Sequence, residues 1–142
     1  MNGKPSNLAI AAVFLLGLIN LGRGSIHLFA PDGGLTAIAG LDLSSGRPII
    51  LFFIGAVGAG QIAFGAVDFL VALRHRSMVQ ALLLVHLGEL ALGLFLFLWW
   101  RPLPVAVPGE YGAVFSFIAV GLISMREFWL GRARRGMSNG AS

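Results

Sequence analysis

The sequence contains no cysteine, which excludes a disulfide framework, a thiol nucleophile and a thiolate metal site. Charge is scarce too. Asp, Glu, Lys and Arg make up 11% of 142 residues, where a soluble domain carries about a quarter. The chain has no phosphate-binding loop, no G-x-S-x-G, no H-E-x-x-H and no Arg repeat of the voltage-sensing kind, so the common nucleotide, hydrolase, zinc-protease and gating signatures are missing. No nucleophile–base pair can be recognised, so an enzyme is the least expected of the readings, with Glu89 and His86 the residues it would use.

What the chain has in quantity is apolar residues: 57% of the total, with a mean hydropathy of +0.87. So few polar side chains cannot cover such a surface in water, and lipid is the solvent that fits. The expected fold is all-α, an integral membrane up-and-down four-helix bundle. Its spans lie at about 8–30, 48–73, 78–100 and 111–130 of a single domain covering residues 1–135. A disordered tail is expected over 136–142. Turn residues separate the runs: Pro31-Asp32-Gly33-Gly34, Gly46-Arg47-Pro48, and Pro102, Pro104 and Pro108. The first run is expected to stay as a helix, since Leu21-Gly22-Arg23-Gly24 makes a poor signal-cleavage site.

The formal net charge of +4 does not indicate nucleic acid, because the basic residues occupy short segments between apolar runs. Lys4, Arg74, Arg76, Arg132, Arg134 and Arg135 fall at the two termini and in the second connection. The other connections hold Arg47 and Arg101 alone. The positive-inside rule then places both termini in the cytoplasm. The strong preference for Arg over Lys, with abundant Gly and Ala, points to a GC-rich bacterial genome and hence to the inner membrane. The first external connection, residues 31–47, has two readings: an amphipathic turn in the interface built on Leu35, Ile38, Ala39 and Leu41, or an ordered cap over the bundle.

Ionisable groups inside a span are costly and are the default functional candidates. Gly17, Asn20, Gly24 and His27 share a stripe, with Arg23 one turn from Asn20 and His27. Gly55, Gly58, Gln61, Gly65 and Asp68 form a second, small-residue face, while His86, Glu89 and Gly93 form a third. Counting roughly 1.5 Å per residue puts Glu89 near the midplane, at a height the Arg23 side chain can reach. The expected ligand-binding or proton-linked layer is therefore Asn20, Arg23, Gln61, His86 and Glu89. Asp68 and Glu127 form a secondary layer nearer the cytoplasm. Arg23 and Glu89 are expected to pair, either as a register pin or as part of a site. Desolvation and a nearby guanidinium would act on Glu89 in opposite directions, leaving it a candidate for proton-linked binding. No metal is expected, because the His86–Glu89 pair lacks partners at its own height. A cofactor is not identified, and single haem ligation by His86 stays open.

With these residues in view, the chain resembles small bacterial four-helix membrane proteins of the DoxX-like kind. The resemblance rests on Arg23-Gly24, His27-Leu28, Ala30-Pro31-Asp32-Gly33-Gly34 and Ile38-Ala39-Gly40-Leu41-Asp42-Leu43. The Gly58–Gln61–Gly65 stripe and the stretch from Gly88-Glu89 to Gly93 add to it, so that most of residues 20–95 is covered. It implies a four-helix bundle with any site between the helices, and no particular reaction. Two functional classes follow: binding or movement of a small ligand (a proton, ion, lipid or quinone-like molecule) at the polar layer, or an accessory subunit that packs in a larger membrane complex or a homo-oligomer. Convergence of the polar side chains inside one protomer would favour the first.

Overall fold

A computed structural model describes residues 4–103 and 106–139. Its four helices are long and apolar enough to cross a membrane, and among the described residues there is no strand. Helix α1 spans Asn7–Phe29 and α2 spans Arg47–Leu73. After a short 3₁₀ turn at Arg76–Met78, α3 runs Val79–Phe95 and continues as a π turn over Leu96–Trp100. Helix α4 spans Pro108–Asn139. It begins earlier than the apolar run alone suggests because proline suits a first helical position, where its missing N–H has no partner to lose. Its far end continues through the first four residues of the segment expected as a tail. Residues 140–142, and Pro104, lie outside the described residues.

Antiparallel packing can be read from the pairs that meet. Gly17 lies against Gly65 and Asp68, and Gly24 against Gly58 and Ile62. A Cβ at Gly24 would stand 2.6 Å from the Gly58 carbonyl oxygen, and one at Gly58 would stand 2.7 Å from the Gly24 carbonyl oxygen. Only glycine permits this backbone-to-backbone approach, the usual device where apolar helices associate without a hydrophobic driving force. The small-residue stripes thus form the α1–α2 seam.

The other contacts concentrate at one end. Ala9 and Val13 of α1, Val71 and Ala72 of α2, Val79, Leu82 and Leu83 of α3, and Val120 of α4 form one buried cluster. This is the end that carries Lys4, Arg74, Arg76 and Arg132, here called the basic end. Helices α2 and α3 touch near the turn that joins them and separate beyond it. The outer surface is apolar on every side, with Phe52, Leu92, Trp99 and Phe115 among its exposed residues.

At the opposite end, residues 30–46 form an ordered cap. The Asp32 carboxylate accepts from the backbone N–H of Gly34 (2.9 Å), Thr36 (3.1 Å) and Ala37 (2.7 Å). These donors, Ala37 foremost, hold its carboxyl below the usual range near 3.8. Gly33 and Gly34 adopt φ of +61° and +75°, a left-handed turn that brings them onto Ile54 and Ile26. Of the loop's apolar residues Leu43 is buried, while Ile38 stays exposed.

Candidate functional site

Four ionisable or amide side chains meet between α1, α2 and α3. Asp68 is 0% exposed and His86 is 2% exposed, which is rare for such residues unless they are partnered. Asn20 Nδ2 donates to Asp68 Oδ2 at 3.2 Å, and His86 Nε2 lies 2.7 Å from Asp68 Oδ1. The other ring nitrogen, Nδ1, lies 3.4 Å from Glu89 Oε2. That is an ion-pair distance, longer than a usual N–H···O hydrogen bond. The Phe64 ring packs on the imidazole with centroids 4.8 Å apart, fixing the plane of the ring. The series Asn20–Asp68–His86–Glu89 therefore runs from the buried α1–α2 seam to the surface, where the Glu89 side chain is 53% exposed.

Local helical geometry explains the assembly. Asn20 sits between Gly17 and Gly24 on the face that α1 turns to α2, and Asp68 follows Gly65 by one turn on the opposing face. His86 and Glu89 are three residues apart on α3, so their side chains lie one above the other. An imidazole with a carboxylate at each nitrogen is best satisfied as imidazolium. The neutral ring has a single N–H and would turn a lone pair toward one of the two oxygens.

Glu89 opens onto a groove of ≈ 440 Å³ between α2 and α3, lined by Val57, Gly60, Gln61, Ala63, Phe64 and Val67. Beside it, the Gln61 side-chain oxygen is buried with no hydrogen-bond partner. The Ser124 hydroxyl on α4 is likewise buried and unpaired.

Arg23 and Glu89 do not pair, contrary to expectation. Arg23 is exposed on α1, and its Nη2 approaches the start of α4 at Gly109. With Gly17, Asn20 and Gly24 committed to α2, position 23 is turned roughly 90° from the centre of that seam. The expected two-layer division also changes. Asp68, assigned to the layer nearer the basic end, joins Asn20 and His86 in one network.

Glu127 stands apart from that network. It is 4% exposed and clasps the start of α1, accepting from the Ser6 backbone N–H (3.1 Å) and from the Ser6 hydroxyl. Ser6 Oγ in turn accepts from Ala9 N (3.2 Å) as the N-cap of α1, and Arg126 Nη1 donates to both Ser6 Oγ and Glu127 Oε1 at 3.0 Å. The role of Ser6 was missed in the sequence, although a serine three residues before Ala9 at the head of an apolar run is an N-cap signature. His27, at the other end of α1, bonds the Gly33 carbonyl through Nδ1 at 2.8 Å and anchors the cap. Among the described residues no group of three His, Cys, Asp or Glu side chains is placed so that it could hold a metal ion.

Comparison with protein-family models, with curated proteins and with solved structures finds no match to this chain.

Proposed function

We propose that this is a multi-pass bacterial inner-membrane protein, with both termini in the cytoplasm, that binds or moves a small ligand at a site centred on Glu89 and His86. The observation that carries the reading is the continuous polar series from buried Asp68 through His86 to exposed Glu89, ending in a groove. Groups of this kind inside apolar helices are expensive, and a structural pin does not need a branch that leads to the surface. Asn20 and Asp68 hold and orient the imidazole. Glu89 and Gln61 are the groups a ligand would meet. Glu89 is the carboxylate of the series that stands open to a ligand. The excess of Lys and Arg at the basic end supports the orientation. A DoxX-like relationship agrees with the four-helix architecture and adds no reaction.

The alternative of an accessory subunit or homo-oligomer draws on the groove itself, because small residues such as Gly60 and Ala63 would also admit a foreign helix. Glu89→Gln separates the readings. The amide conserves shape, so the variant is expected to fold and yet to lose the pH dependence of ligand occupancy. The measurement is mass spectrometry of the small molecules copurifying with wild type and variant, from mildly acidic to mildly alkaline buffer. A folded variant whose ligand content matches wild type at every pH would reject the ligand site and favour the accessory subunit.

A further inference from the structure

The charge count of the cluster defines what the groove accepts. Asp68 and Glu89 bring two carboxylates, and the one cationic partner is His86, facing both from α3. From α1 the cluster receives only the neutral Asn20 amide, while Arg23 on that helix turns toward α4. Among the described residues no Lys or Arg forms an ion pair with either carboxylate. With the imidazole protonated, one negative charge is left over, and it falls on the exposed member, Glu89.

The surroundings of that charge are apolar and open, a shallow strip along one face of α2. Val57, Ala63, Phe64 and Val67 of α2 form its floor, and no cationic side chain lines it. The volume of the groove lies in the range of small-molecule sites, and most of its boundary is open. The buried, unpaired Gln61 oxygen is an independent sign that the protein leaves polar capacity unused here. The opening lies between two helices that separate, so a molecule dissolved in the bilayer has direct lateral access.

We propose that the groove between α2 and α3 binds a lipid-soluble organic monocation, with the charged centre against Glu89 and the apolar body against Val57, Ala63, Phe64 and Val67. This rests on the reading of the cluster as a ligand site and specifies its ligand class. The Phe64 ring adds a face to which a cation is attracted.

The test uses purified full-length protein in nanodiscs of phosphatidylcholine, with tetraphenylphosphonium as the probe and tetraphenylborate as its counterpart of like shape and opposite charge. Wild type should bind the cation saturably and the anion not at all. Glu89→Gln should weaken cation binding on the order of 30-fold or more, the usual cost of removing one member of a desolvated charge pair. Gly60→Leu provides a second arm that alters no charge. A Cβ there meets no atom within 4 Å, so the variant should fold while its side chain fills the groove and blocks the cation. Equal binding of both ions, undiminished binding in Gly60→Leu, or no saturable cation binding by wild type would each overturn the proposal. Ligand content that responds to pH in wild type and not in Glu89→Gln, together with no uptake of the phosphonium, would reject the cation and keep the site.

Discussion

The two sequential helix pairs are built from similar numbers of glycines and use them in opposite ways. On α1 and α2 the glycines bring backbone onto backbone: a side-chain carbon at Gly17, Gly24, Gly58 or Gly65 would fall within 2.9 Å of an atom of the partner helix. On α3 and α4 the corresponding test at Gly88, Gly93 and Gly112 finds nothing within 4 Å, and at Gly121 only the Leu87 side chain, at 3.7 Å. Composition is therefore a poor guide to packing. What decides is whether the glycines of two helices fall on facing stripes. The pair with facing stripes is closely packed, and it carries Asn20 and Asp68. The looser pair carries His86 and Glu89, and the separation of α3 from α2 is what leaves the groove.

The largest expected effect comes from breaking the tight seam. Gly24→Ala places a methyl against the Gly58 carbonyl and the Ile62 backbone, and no rotamer relieves a clash with main chain. A loss of about 3 kcal/mol, the upper part of the overpacking range, should appear as a lower thermal midpoint in detergent. An unchanged midpoint would mean that the helices are not in backbone contact.

A smaller effect tests the clasp that joins α1 to α4. Ser6→Ala removes the N-cap of α1 and one of the two donors that Ser6 offers to Glu127. About 1 kcal/mol should be lost, the usual cost of a missing cap, with the Gln61–Glu89 groove unaffected. Reduced ligand occupancy at full stability would show instead that Glu127 communicates with the groove. The smallest change should carry the opposite sign. Gly121→Ala adds a methyl at ordinary van der Waals distance from Leu87 and removes a glycine from a helix interior. The midpoint should rise slightly, by the equivalent of about 0.5–1 kcal/mol. A fall comparable to that of Gly24→Ala would erase the distinction between the pairs.

The stripes themselves were legible, because a small or polar residue every three to four positions marks a helix face whatever it meets. The four spans were legible for the same reason, since length and hydropathy are local properties. Partner choice was not. Arg23 and Glu89 have opposite charges at similar depth, but depth counting says nothing about rotation around the helix axis. Arg23 is the immediate neighbour of buried Gly24, and that one-position offset turns it toward another helix. Asp68 and Asn20 look like a carboxylate and an amide on separate layers until the seam brings Gly17 onto Gly65. The Ser6–Glu127 contact joins residues 121 positions apart, and no local signal links them. The divergence of α2 from α3, on which the groove depends, results from where the buried cluster sits at the basic end, a property of all four helices together.

The π turn at the end of α3 changes the angular position of everything after it. Its closing bond, Arg101 N–H to the Leu96 carbonyl at 2.9 Å, spans five residues where an α-helical bond spans four. Each residue in it accordingly advances the chain by less than the roughly 100° of an α-helix. Trp99 and Trp100 are thus out of phase with Glu89 and Gly93, as though one position had been spliced into the helix. A substitution series designed by helical wheel from α3 would assign the two indoles to the wrong sector of the surface, and deleting one residue between Leu96 and Trp100 would swing them around the axis while leaving Glu89 where it is.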